Sequence, residues 1–139
     1  MNFRAFFLSL LVLPVLGSAK IPDARIPQGI ESYFSQNRLG PELVSAEVFN
    51  HYQSGRTIKL KIIARRNMSG KDLAFAFAAA AAIAHYAESP IELLWVDMDI
   101  NFKGSETTTA LAPANCTIDA IILKNVETEK WWEDCMQIP

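Results

Sequence analysis

The stretch Asp72–Ser89, DLAFAFAAAAAIAHYAES, decides how the rest of the chain is read. Leu73 to Ala84 is an unbroken run of 12 apolar residues, with five consecutive alanines. A bilayer span takes about 20 such residues, so this run fits a buried helix of a globular domain. Alanine is the best helix former. Ser69 stands where an N-cap would, with Asp72 three residues later, and Pro90 marks the end. At about 100° per residue, Leu73, Phe75, Phe77, Ile83 and Tyr86 fall on one broad arc. Lys71, Ala74, Ala78, Ala81, His85 and Glu88 fall on the other. The expected arrangement is a main core helix with its bulky arc on a sheet and its alanine face toward water. The alternative is a small-residue face that receives another helix or a partner.

The strands that such a helix would cover lie on both sides of it. Val44–Tyr52 and Thr57–Arg65 read as a β-hairpin turned at Gln53-Ser54-Gly55-Arg56. In the second strand Ile58, Leu60, Ile62 and Ala64 share one face, while Lys59, Lys61 and Arg65 share the other, with Ile63 the apolar exception. After the helix, Leu94, Val96, Met98, Ile100 and Phe102 alternate with Trp95, Asp97, Asp99 and Asn101. The expected fourth strand is Cys116–Leu123; the Thr-rich ETTTALA before it could add a further, weak strand. Gln28–Arg38 forms a short helix, ended by Gly40-Pro41. A second short helix starts at Thr128 and carries Trp131, Trp132 and Cys135. The fold class is therefore α+β in the order α-β-β-α-β-β-α. A single four-stranded (at most five-stranded) antiparallel or mixed sheet carries one main helix on one face, with short helices at both ends.

Residues 1–19 read as an export signal. Arg4 is the charged start, Phe6–Leu16 the apolar core, and Gly17-Ser18-Ala19 the small-residue cleavage site. Residues 20–27, KIPDARIP, read as an exposed N-terminal arm, and 28–139 as one domain. Without Arg4 the chain holds 12 basic and 15 acidic side chains, a net charge of about −3. That balance argues against nucleic acid as a partner, and once the leader is removed no segment is left to insert into a membrane. Two cysteines, Cys116 and Cys135, imply one disulfide in an exported chain. They lack the Cys-x-x-Cys spacing of a redox pair.

Chemistry-bearing residues are few. The alternating Asp97, Asp99 and Asn101 are the residues that could hold a ligand or divalent cation. Counted from Asp97, however, a calcium loop needs Gly at its sixth position, and Phe102 stands there. The same alternation describes the wet face of a strand, balanced by Lys59 and Lys61 on its neighbour. His51 and His85 belong to no metal or nucleophile motif. Arg56, Lys59, Lys61, Arg65, Arg66 and Lys71 gather positive charge; Glu127, Glu129, Glu133 and Asp134 gather negative charge. Trp131 and Trp132 point about 100° apart on a helix, so either one packs near the disulfide while the other reaches the surface as an anchor for a protein or a glycan, or both are buried. Asn67-Met-Ser and Asn115-Cys-Thr match the glycosylation acceptor pattern.

These features are those of a non-enzymatic protein-binding module, periplasmic or secreted, such as an inhibitor, an immunity-type protein or an envelope assembly factor. Its partner would be another envelope or secreted protein, met through Trp131, Trp132, Lys59, Lys61 and Arg65. No catalytic residue, metal or cofactor is indicated. The alternatives are a small enzyme or ligand-binding protein built on Asp97 and Asp99, and a surface protein that self-associates through an open sheet edge.

Overall fold

A computed structural model describes residues 20–101 and 105–139. The leader read in residues 1–19, and Phe102, lie outside the described residues. A short 3₁₀ turn, Asp23–Arg25, leads into helix α1, Ile26–Gln36. Strands β1, Glu42–His51, and β2, Gly55–Ala64, form the hairpin. Helix α2 is Ser69–His85; β3 is Leu93–Asn101 and β4 is Ser105–Pro113. A single helical turn, α3, Ala114–Thr117, runs straight into a π-helical turn, Ile118–Ile122. Helix α4, Thr128–Asp134, closes the order.

The four strands make one mixed sheet in the order β1-β2-β3-β4. β1 and β2 are antiparallel, β2 and β3 parallel, β3 and β4 antiparallel. Only the parallel pair needs a crossover, and α2 supplies it. Alternation then sorts the side chains. Ile58, Leu60, Ile62, Leu94, Val96, Ala110 and Ala112 are all fully buried beneath the helices. Their neighbours at odd positions face the opposite side, which no helix among the described residues covers, although Thr57 at its hairpin end is buried. The hairpin closes through three residues and Gly55, whose φ of +82° suits only glycine. A Cβ there would also run into the Glu92 carboxylate.

The fourth strand is not Cys116–Leu123. The Thr-rich segment takes that place, pairing along its whole length from Leu93↔Pro113 to Asn101↔Ser105. Ile118, Ile121 and Ile122 sit three and four apart, a spacing that suits a helix as well as a buried strand. Periodicity alone does not separate the two in a short apolar run. Lys124, with φ of +57°, ends this helical stretch in the left-handed conformation.

Helix α2 also lies differently from the expected arrangement. Its outward line is Lys71, Ala78 and His85, but Ala76, Ala79, Ala80 and Ala81 are fully buried. Phe75 stands on one flank, edge-on to Tyr33 and Phe34 of α1 at 5.5 and 5.0 Å. Phe77 stands on the other, edge-on to Trp131 of α4 at 5.2 Å. The line opposite the exposed one, through Ala76 and Ala80, is thus left for the sheet. Leu73, Ala76 and Ala80 share that buried line, and α2 touches both β2 and β3. Tyr86, placed on the bulky arc by periodicity, is 53% exposed.

The helix start also departs from a capping box. Ser69 is the first helical residue and makes no cap bond; Met68 is the N-cap. Asp72 is buried and turns back to Arg65, where it accepts the backbone N–H at 2.8 Å and Nε at 3.2 Å, and pairs closely with Nη2. The hydrogen bonds that Arg65 donates to Asp72, opposed by desolvation and helped by the Asp72 charge, raise the Arg65 pKa above its usual value. Arg65 Nη2 also donates to the Leu39 carbonyl at 2.7 Å.

The N-terminal segment is docked rather than free. Ile21 donates its N–H to the Tyr86 carbonyl and accepts from the Glu88 N–H, both at 2.7 Å. Ile26 is fully buried, so α1 begins two residues before Gln28 and brings Ile26, Ile30 and Phe34 onto one stripe. At the other end, the tail pairs with β4: Leu111 and Gln137 exchange N–H···O bonds at 2.8 Å. Cys116 and Cys135 form a disulfide that ties α3 to the end of α4.

Candidate functional site

The uncovered face of the sheet brings together five of the chemistry-bearing residues, His51, Lys59, Lys61, Asp97 and Asp99. Strand register sets them in rows. Glu47, Lys59, Trp95 and Leu111 form one row; Ser45, Lys61, Asp97 and Thr109 form the next. Asp99 and Thr107 follow, beside Ile63. Phe49, Thr57 and Leu93 lie at the hairpin end.

Two halves result. The first is aromatic and apolar. Trp95, half-buried, lies 6.2 Å from Phe49 and 6.1 Å from His51, ring to ring. Lys59 Nζ sits 4.8 Å from the centre of its ring, within cation–π range. Tyr52, 87% exposed, stacks on His51 at 4.9 Å. Leu93 and Leu111 extend the strip into a shallow cleft of about 190 Å³, closed on one side by Cys135 and Gln137.

The second half is polar and internally satisfied. Asp97 accepts the Trp95 indole N–H at 2.9 Å and the Thr109 hydroxyl at 2.7 Å, and lies 3.7 Å from Lys59 Nζ. Asp99 accepts the Thr107 hydroxyl at 2.6 Å and lies 3.6 Å from Lys61 Nζ. Each carboxylate thus has a cation and a hydroxyl of its own. The Asn101 side chain lies outside the described residues. Among the described residues no three His, Cys, Asp or Glu side chains stand close enough to hold a metal ion.

His51 Nδ1 accepts the backbone N–H groups of Gln53 and Ser54, both at 3.2 Å. Its acceptor nitrogen is thereby committed to the hairpin turn rather than to the Asp97 side of the face. His85 is exposed at the end of α2, edge-on to Tyr86 at 4.9 Å.

The basic cluster dissolves into pairs. Lys59 and Lys61 face Asp97 and Asp99, Arg65 is held by Asp72, and Arg56 pairs with Asp23 of the N-terminal turn. The tryptophan pair separates. Trp131 is fully buried and donates its indole N–H to the Thr117 hydroxyl at 2.9 Å, which in turn donates to the Pro113 carbonyl at 2.8 Å. Trp132 is half-buried, edge-on to Trp131 at 5.1 Å. Both lie on the helical side, away from the open face. A cleft of about 460 Å³ runs between the N-terminal segment and α1, and presents Lys20, Arg25, Gln28 and Ser32. It holds no nucleophile–base pair.

Sequence reasoning did not single out Trp95, Phe49, Thr107 or Thr109. The alternation of β3 already placed Trp95 with the aspartates. What was missing was β4, whose threonines complete the row once strand pairing is known. No protein-family model, curated protein or solved structure matches this chain.

Proposed function

We propose that this chain is a small exported, non-enzymatic module that docks another protein on the open face of its sheet. The observation that carries it is the strip of Phe49, His51, Trp95, Leu93 and Leu111, half-buried on a face that no helix among the described residues covers. Aromatic side chains within a polar surround are the composition of a protein-binding core, and the Lys–Asp–Thr rows supply that surround. The carboxylates of this face are engaged by neighbours. That favours docking over acid–base work, which needs a carboxyl or imidazole free to reach a substrate proton. Export is supported by the leader pattern of residues 1–19 and by the disulfide.

Two measurements test this. N-terminal sequencing of the accumulated protein is expected to begin at or near Lys20; an intact Met1 form confined to the cytosol counts against export. Affinity capture from envelope extract tests the face. A protein retained by the wild type and by the helix-face control Glu31→Ala, and lost with a folded Trp95→Ala, is the expected result. Equal retention by Trp95→Ala removes the open face from the function.

A further inference from the structure

We infer that the open face receives a second copy of this chain, face to face, about a two-fold axis that runs along the strands between β2 and β3. This rests on the open face being the docking surface and goes on to name an occupant. The two central strands carry opposite charge: Lys59 and Lys61 stand on β2, Asp97 and Asp99 on β3. The strands are parallel and in register, with Lys59 beside Trp95 and Lys61 beside Asp97.

A two-fold axis parallel to the strands, midway between two such faces, exchanges the β2 and β3 columns and keeps each row. Lys61 of one copy then stands over Asp97 of the other, and the reverse holds at the same time. Lys59 stands over the second copy's Trp95, repeating across the interface the cation–π contact made within the chain at 4.8 Å. A two-fold axis across the strands would keep the columns instead, and set lysine over lysine and aspartate over aspartate. Of these two dyads the charges favour the one along the strands, through the Lys61–Asp97 row, with Asp99 then standing over Ile63 of the other copy. Aligned sheets cross at about 30°, and the charged columns are the central ones, so this rotation leaves them opposed.

An isologous interface needs a self-complementary patch. The central columns form one: two cations on β2 and two anions on β3, with Glu47 a further charge of the face at the β1 edge. Four strands spaced about 4.8 Å apart and about nine residues long present a face of roughly 500 Å². Two such faces bury about 1,000 Å², the lower bound for a specific interface. The dimer is accordingly weak, concentration-dependent and sensitive to salt.

Sedimentation equilibrium of the purified, disulfide-bonded protein tests it with charge swaps. The wild type is expected to rise toward twice the monomer mass as concentration increases, and to fall back in high salt. Lys59→Glu/Lys61→Glu makes the central columns acidic, and Asp97→Lys/Asp99→Lys makes them basic. Each alone should stay monomeric, and their equimolar mixture should regain the dimer mass. A wild type that stays monomeric up to on the order of 1 mM, or a charge-swapped variant that self-associates as the wild type does, overturns the inference.

Releasing the Trp95 indole could disturb the fold of the basic variant, so a second measurement stands on the wild type alone. Concentration-dependent chemical-shift changes should map to Lys61, Trp95 and Asp97 and spare Glu31 and Lys71; a map confined to the helical side overturns it equally. A monomeric wild type that still captures an envelope protein through Trp95 refutes the second copy and leaves the docking function standing. A dimer with the mapped interface but no Trp95-dependent capture does the reverse.

Discussion

Asp72, with 1% of its side chain exposed, accepts the backbone N–H of Arg65 at 2.8 Å while its other oxygen meets the Arg65 guanidinium. Since Arg65 also reaches the Leu39 carbonyl, one carboxylate joins the end of β2, the start of α2 and the loop before β1. Asp72→Ala leaves the Arg65 N–H without its acceptor and should cost about 1–3 kcal/mol, the penalty for a buried unsatisfied donor. Asp72→Asn, which can still accept that N–H, should cost less. Urea unfolding of the two variants orders them.

The packing of α2 yields a second test. Phe77 is fully buried against Trp131, so Phe77→Ala should lose about 3–5 kcal/mol. Ala80 is fully buried on the line opposite the exposed one. Ala80→Leu should overpack it and cost about 1–3 kcal/mol. Ala78 lies on the outward line with Lys71 and His85, and Ala78→Glu should change stability by less than about 0.5 kcal/mol. Thermal melts that rank Ala80→Leu as silent and Ala78→Glu as disruptive would mean that the helix is rotated about its axis.

Trp131, Thr117 and the disulfide form one local unit. Reducing Cys116–Cys135, which are 19 residues apart, should cost about 3 kcal/mol by chain entropy. Trp131→Phe keeps most of the packing but removes the donor to Thr117. Its loss should be nearer the value of one hydrogen bond, about 1 kcal/mol. Melting with and without reductant, for both proteins, separates the two contributions.

On the open face the two aspartates should differ. Asp99 has Thr107 and a lysine contact of 3.6 Å, with Lys61 44% exposed. Asp99→Asn should cost at most about 1 kcal/mol, as for exposed ion pairs in general. Asp97 accepts from both Trp95 and Thr109, so Asp97→Ala should cost more than Asp99→Ala. It should also alter the Trp95 fluorescence, since the indole loses its acceptor.

Much of this was legible before any coordinates. The alternation Leu94, Val96, Met98 against Trp95, Asp97, Asp99 assigned both faces of β3, and the same held for β2 with its lysines. A residue's side of a strand is set by parity, a local property of the backbone. The length and alanine content of Leu73–Ala84 were enough to make it a buried helix rather than a membrane span.

What parity could not supply was the neighbour. Cys116–Leu123 and ETTTALA compete for the fourth position in the sheet. The outcome rests on which segment pairs with β3 and which packs beside α2, and both are long-range choices. The same reason governs α2. Residue size suggested that the bulky arc would meet the sheet. Two flanking helices instead claimed Phe75 and Phe77, leaving Leu73, Ala76 and Ala80 on the buried line between them. It governs Asp72 too, placed by sequence in a local cap and drawn by the fold to Arg65. Local periodicity determined the elements and their wet and dry faces. Only tertiary packing decided which faces meet, because that depends on contacts between residues far apart in the chain.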